Sequence, residues 1–302
     1  MSTKPVVVAV VGPTGSGKTE LGIRLASHFG TVILSADSRQ FYRGMPIGTA
    51  QPDEEQLLAV KHYFIASHSV EEPVTAGRYA TEALALLPSL FERNRIVIVV
   101  GGSGLYVNAL CHGMDELPKA DPALRETLSA RLRQEGLTSL LEELKELDPR
   151  FYEQMDRNNP VRVMRALEVC LCSGQPYSSL RSGKGQPRPF ETVKIGIRMD
   201  RSELYDRIDR RVDAMMEAGL EAEAKALYPF RQLNALQTVG YRELFDCFDG
   251  KTTREEAIAL IKRNSRRYAK RQITWFGHDP QIEWFDPNET DSIIRYIEKK
   301  IG

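Results

Sequence analysis

The stretch Gly12-Pro13-Thr14-Gly15-Ser16-Gly17-Lys18-Thr19 limits what this chain can fold into more than any other. It fits the spacing G-x-x-x-x-G-K-[ST]. Residues 5–11 before it read as a short, fully buried strand, and residues 20–26 after it carry Leu21 and Leu25 at helical spacing. A loop between a strand end and a helix start aims backbone N–H groups at one point, and the helix dipole adds positive potential there. The expectation is a diphosphate- or nucleotide-binding loop. Gly12 to Thr19 cradle the phosphates, Lys18 reaches the terminal one, and Thr19 holds Mg²⁺ through its hydroxyl. The motif specifies a phosphate chain with Mg²⁺; ATP-binding is one use of it and is not implied by it alone.

The chain has 302 residues and a formal net charge of zero, which rules out a globally basic nucleic-acid binder and leaves room for a local basic patch. No apolar run approaches the roughly 18 residues of a membrane span, and the start of the chain goes straight into a strand, so no leader and no membrane partner are expected. Cys111, Cys170, Cys172 and Cys247 lack zinc spacing. They read as free buried thiols of a cytoplasmic protein.

The first third alternates strand and helix. Residues 31–36 and 95–100 read as two further strands, both near-continuous apolar runs, as in a parallel sheet covered on both faces. A helix from about Gly77 through Leu90 lies between them. Active sites of such sheets lie beyond the carboxyl ends of the strands. Three loops leave those ends here: the phosphate loop, Asp37-Ser38-Arg39-Gln40, and Gly101-Gly102-Ser103-Gly104-Leu105-Tyr106.

From about residue 115 to 189 the pattern turns helical. Asp121-Pro122 starts one helix, with Leu124, Leu128 and Leu132 on one face. Asn159-Pro160 starts another, a cap followed by proline at the first helical position. Residues 181–189 read as an exposed loop and 192–198 return to strand. The fold class is therefore α/β: a P-loop-type parallel sheet flanked by helices, formed by residues 1–114 and 190–302, with a helical insertion at 115–189. The C-terminal third reads as helical. Its stretch 263–276 sets Arg263, Arg267, Lys270 and Arg271 at helical spacings with Tyr268, Trp275 and Phe276 among them. Cations for phosphates and rings for unstacked bases suit RNA; a solvated face with its aromatics in the core fits the same pattern.

An ordinary P-loop NTPase ends a second apolar strand with an acid that helps hold Mg²⁺. Here the strand through Val100 runs into glycines, and the acid appears as Asp37. That carboxylate can ligate a metal through water, act as general base on a nucleophile approaching the phosphate-bearing substrate, or cap a turn.

Taken together, these segments resemble the bacterial tRNA dimethylallyltransferases, the P-loop tRNA isopentenyltransferases. The resemblance runs through 12–19, Asp37-Ser38-Arg39-Gln40-Phe41-Tyr42-Arg43-Gly44-Met45-Pro46-Ile47-Gly48-Thr49-Ala50-Gln51-Pro52, residues 76–79, 101–106, 159–169, Val239-Gly240-Tyr241-Arg242-Glu243 and 266–276, nearly the whole chain in the family's order. The family more often has Thr where Ser103 stands, and Val and Asp where Phe41 and Pro46 stand; no reacting group is lost.

The resemblance implies transfer of a dimethylallyl group from dimethylallyl diphosphate to N6 of the adenosine just 3′ of the anticodon, with release of diphosphate. It implies Asp37, Ser103 and Lys18 as catalytic residues and Arg211 as a diphosphate-binding arginine. The tRNA contacts it implies are Asp37, Ser38, Arg39, Gln40, Ser103, Arg125, Val161, Arg162, Val163, Met164, Arg165, Gln237, Thr238, Val239, Gly240, Tyr241 and Arg242. The partners are then the tRNA anticodon stem-loop and dimethylallyl diphosphate, handled by a monomer. The donor is expected to enter from the P-loop side and a flipped adenine from the opposite side, meeting beside Asp37. A small-molecule or nucleotide kinase is the alternative reading, and a non-catalytic RNA-binding protein the third. The absent acid after Val100 and the basic-aromatic stretch argue against the first, and intact Lys18, Thr19 and Asp37 against the second.

Overall fold

The computed structural model describes residues 4–302 except 116, 120, 182 and 184. The chain divides into two compact units, residues 1–112 with 187–302, and residues 113–186.

The first unit opens with β1 (Val6–Val11), α1 (Lys18–His28), β2 (Ile33–Ser35), α2 (Glu54–Ala59), β3 (His62–Tyr63), α3 (Ala76–Phe91), β4 (Ile96–Gly101) and α4 (Gly104–His112). The second unit holds α5 (Pro122–Leu147), α6 (Pro149–Gln154), α7 (Pro160–Ser173) and α8 (Tyr177–Leu180). The chain then returns to the first unit with β5 (Glu191–Ile197), α9 (Arg201–Glu217), α10 (Leu220–Leu227), α11 (Tyr241–Phe248), α12 (Arg254–Gly277), β6 (Ile282–Phe285) and α13 (Thr290–Ile301).

The six strands run in the order β3-β2-β4-β1-β5-β6, all parallel. β1 is central: Val8 pairs with Ile98 of β4 on one side and Val193 of β5 on the other. Its alternate residues enter two layers. Val7, Ala9 and Val11 pack with Tyr79, Leu87 and Leu110; Val6, Val8 and Val10 pack with Leu21 and Leu25 of α1 and Ile293 and Ile297 of α13. Burial on both faces explains the unbroken valine runs. The loops after β1, β2 and β4, three neighbouring strands, leave the same edge of the sheet.

Three expectations need correction. The C-terminal third is not all helix: β6 adds a strand beside β5. Its residues alternate between buried Ile282 and exposed Glu283, a short edge pattern too weak to read locally. β3, two residues long, is likewise unannounced. The cysteines are not all buried: Cys111 and Cys170 are, Cys172 is exposed, and Cys247 is half-buried. No helix among the described residues is long and apolar enough to cross a membrane.

In the second unit Asp121 caps α5 by accepting the Ala123 N–H at 2.9 Å, and Asn159 caps α7 by accepting the Arg162 N–H at 3.2 Å. Gly136, at φ 80°, breaks α5 into two helical stretches. Leu128, Leu140, Leu144, Phe151, Val163 and Leu167 form the core. Buried Asp148 accepts the Phe151 N–H and both the N–H and hydroxyl of Ser178. A buried carboxylate without such donors is costly. Arg188, expected in the insertion, belongs to the first unit, where its guanidinium donates to the carbonyls of Ala109 and Leu110 at the end of α4.

Candidate active site

The chain between β1 and α1 turns on glycines held at positive φ, Gly15 at 80° and Gly17 at 87°, where other residues are strained. Gly17 caps α1 without a side-chain bond, so the first N–H groups of that helix stay available for an anion. Ser16 Oγ is buried with no hydrogen-bond partner among the described residues. Lys18 Nζ donates to the loop's own Pro13 carbonyl. Burial lowers its pKa to about 7; Arg211 pushes the same way and Asp37 opposes. An orphaned hydroxyl and an under-charged lysine in one loop form a cradle suited to phosphate oxygens.

α9 supplies Arg207, Arg210 and Arg211, at three- and four-residue spacing, to the same cavity of about 580 Å³. Burial holds the Arg211 guanidinium below its usual range. Asp209 and Asp213, each two residues from Arg211, are taken by Arg266 and Lys262, and Arg207 and Arg211 have no ion-pair partner among the described residues. Thr19 and Glu20 line this cavity with Gln40 and Asp37. No group of three or more acidic, His or Cys side chains that could cage a metal occurs among the described residues. The donor set suits Mg²⁺ only as Mg²⁺ is usually bound, by one or two protein groups plus phosphate oxygens and water.

Asp37 closes the same cavity. Its Oδ1 accepts the Arg39 N–H at 2.9 Å and its own N–H reaches Ser35 Oγ at 3.4 Å. The turn-capping role is thus real, and it uses one carboxylate oxygen; Oδ2 has no hydrogen bond among the described residues. A second cavity, of about 300 Å³, begins at the same place. Asp37, Thr14, Thr49, Ala50 and Arg211 line both. The second one continues past Ser38 and Arg39 to Gln237, Thr238, Val239, Gly240 and Arg242, with Tyr268 and Arg271 of α12. Burial, with the Asp37 charge, pushes the Tyr268 hydroxyl up to about 12.

A family model described as IPP transferase matches residues 40–279. The chain belongs to the IPP transferase family. It is 52% identical over 295 residues to the tRNA dimethylallyltransferase of Cytophaga hutchinsonii, covering 98% of this chain and 97% of that one. It is 47% identical to tRNA dimethylallyltransferase 2 of Parabacteroides distasonis, covering 98% and 99%. Among solved structures, the full-length tRNA isopentenylpyrophosphate transferase of Bacillus halodurans superposes with a TM-score of 0.72 at 40% identity, over 99% of this chain and 96% of that one. A eukaryotic dimethylallyltransferase acting on tRNA superposes at 0.79 with 25% identity, over 95% and 75%.

In this family member the expected site residues divide. Lys18, Thr19 and Arg211 meet in the first cavity, and Ser38, Arg39, Gln237 to Gly240 and Arg242 in the second. Ser103, expected as a catalytic residue and a tRNA contact, lines neither. It is buried, and its Oγ accepts the Ser38 N–H at 2.9 Å and donates to Ser38 Oγ at 3.1 Å, so it fixes the chain beside Asp37. The Arg39 guanidinium donates to the carbonyls of Asn234 and Ala235, tying the Asp37 loop to the segment before Gln237. Gln40 braces Thr49 and Ala50 through their carbonyls. Tyr241 is fully buried and its hydroxyl donates to Glu223.

In the second unit Val161 and Arg162 are exposed and Met164 is half-buried. The Val163 side chain lies in the core. Arg125 forms a two-pronged pair with buried Glu168, which Arg165 also contacts while donating to the Pro118 carbonyl.

Sequence reasoning missed Gln272. Buried in α12, it accepts the Thr14 N–H at 2.8 Å and donates to the Gly102 carbonyl at 2.9 Å, joining the P-loop to the loop after β4. A signal existed: Ile261, Ala269, Gln272 and Phe276 fall on one buried helical stripe, where a lone amide is out of place.

Proposed function

We infer that this chain transfers the dimethylallyl group of dimethylallyl diphosphate to N6 of an adenosine in tRNA, releasing diphosphate. The observation that carries this reading is the sharing of Asp37 by two cavities. One is built for a phosphate chain; the other offers arginines and an aromatic ring. N6 of adenine is a weak nucleophile because its lone pair is delocalised into the ring. As N6 attacks the allylic carbon, the carbon–oxygen bond to diphosphate breaks and the N6 proton passes to Asp37 Oδ2. Lys18, Arg207 and Arg211 stabilise the departing diphosphate, and the P-loop N–H groups orient it. Mg²⁺, held by Thr19 and the diphosphate oxygens, would add charge neutralisation at the leaving group.

The target in this reading is the adenosine 3′ of the anticodon. It is flipped from its stack into the second cavity at a cost of roughly a few kcal/mol, which stacking and cationic contacts at Tyr268, Arg271 and Arg242 offset. Val161, Arg162 and Met164 of the helical unit supply further contacts to the stem-loop. Both cavities are lined by one chain, so a monomer acting in the cytoplasm suffices. The test is to incubate the protein with Mg²⁺, tRNA and either labelled dimethylallyl diphosphate or labelled ATP. Label from the prenyl donor on the RNA is expected; label from ATP, with none from the prenyl donor, overturns the reading in favour of a kinase.

A further inference from the structure

Glu223 of α10 lines neither cavity, yet its carboxylate takes donors from two segments that border them. It accepts the Ile47 N–H at 2.9 Å, the Gly48 N–H at 2.8 Å and the Tyr241 hydroxyl at 2.6 Å. The next residues, Thr49 and Ala50, are wall shared by both cavities. Tyr241 lies between Gly240 and Arg242, both in the wall of the second. Its ring sits where a Cβ on Gly48 would lie 2.6 Å away, so only glycine lets the two meet.

The far side of the wall is anchored too. Gln40, three residues after Asp37, donates to the Ala50 carbonyl at 2.9 Å and accepts from Ser35 Oγ at 3.0 Å. Ala50 itself is held at φ 48°, a strained conformation for a residue with a side chain. Such a residue persists only where its surroundings over-determine it.

We propose that Glu223 is a positioning residue for prenyl transfer: its bridge from Tyr241 to Ile47 and Gly48 sets the wall of Thr49 and Ala50 at its distance from Asp37, and so aligns the allylic carbon with N6. The proposal rests on the functional reading above. The carboxylate suits the task because it only accepts, and all three of its partners are donors. Glu223→Gln keeps the size but turns an N–H₂ toward an N–H, so the wall loses one anchor and Ala50 can relax.

The experiment measures transfer to tRNA by the full chain, with active sites counted by stoichiometric donor binding. In Glu223→Gln, kcat per donor-binding site is expected to fall about 10- to 100-fold, the scale of a 1 Å misplacement. KM for dimethylallyl diphosphate should stay within about threefold, since Lys18, Thr19 and Arg211 make no bond to Glu223. Tyr241→Phe should lower kcat less, and the double variant should be no worse than Glu223→Gln alone, as for groups acting as one unit. A purely structural role predicts fewer donor-binding sites with unchanged kcat per site, and that result overturns the proposal. If Glu223→Gln does not fold, Tyr241→Phe decides: it keeps both backbone bonds, and wild-type kcat in it overturns the proposal. A wild-type chain that binds donor but transfers nothing to tRNA overturns the functional reading, and this inference with it.

Discussion

The Arg39 N–H donates to Asp37 Oδ1 at 2.9 Å, and Oδ2 has no hydrogen bond among the described residues where the two cavities meet. The turn cap therefore leaves the general-base role we propose for Asp37 its own oxygen. Asp37→Asn keeps an oxygen for the Arg39 N–H and removes the proton acceptor. Turnover is expected to fall about 10²- to 10⁴-fold, the usual range for a positioned acid–base group, with little change in tRNA affinity. Single-turnover transfer and filter binding measure the two, and near-normal turnover would remove Asp37 from the chemistry.

Lys18 and Arg211 serve the first cavity, so Lys18→Ala and Arg211→Ala should raise KM for dimethylallyl diphosphate more than KM for tRNA. Arg211 also borders the second cavity, so its effect on tRNA should be the larger of the two. A tRNA-dominated defect in both variants would reassign them to the RNA surface.

Lys18 also sets a pH dependence. In the free site its pKa is lowered from 10.5 to about 7, chiefly by burial. Between about pH 7 and 10.5 the unfolded chain holds this proton and the folded chain does not, so the Lys18 contribution to stability rises with pH in that window. Diphosphate favours the charged form. Donor binding at pH 8 should therefore take up close to one proton that binding at pH 6 does not. Calorimetry in buffers of different ionisation enthalpy reads the uptake, and Lys18→Ala subtracts the titration of the ligand. Equal uptake in both proteins would exclude Lys18 as its source.

In the reaction we propose, the target adenine reaches Asp37 unpaired. An anticodon stem-loop should accept the prenyl group, and the same strand annealed to its complement should be inert, because pairing occupies the N6 edge and stacking opposes extrusion. Equal prenylation of both would move the target adenine to an open surface.

The helical unit has its own core, and so does the sheet unit. Joining His112 to Pro187 should leave donor binding within a few-fold of wild type while tRNA binding is lost. Wild-type tRNA affinity should also fall steeply with salt, since phosphate contacts release counterions. A folded deletion variant with full tRNA affinity would show that the helical unit is not part of the RNA interface.

What the sequence determined on its own was local. The P-loop is read from Gly12 to Thr19 because glycines, lysine and threonine must stand at fixed spacing between a strand and a helix. The parallel sheet is read from valine runs, because two-sided burial removes alternation. The α7 start is read from Asn159-Pro160, because capping acts within one turn. Tertiary structure alone decided the rest. Nothing in two- and four-residue strands such as β3 and β6 declares pairing until a neighbouring strand supplies the other half of the ladder. Only folding sets the Ser103 hydroxyl against Ser38 and the Val163 and Tyr241 side chains in cores, because burial is a property of what packs around a residue. Glu223 and Gln272 carried no motif. Their partners lie across the fold, Gln272 bonding Thr14 from 258 positions away, and a polar side chain's role is set by which donors and acceptors folding brings within about 3 Å of it.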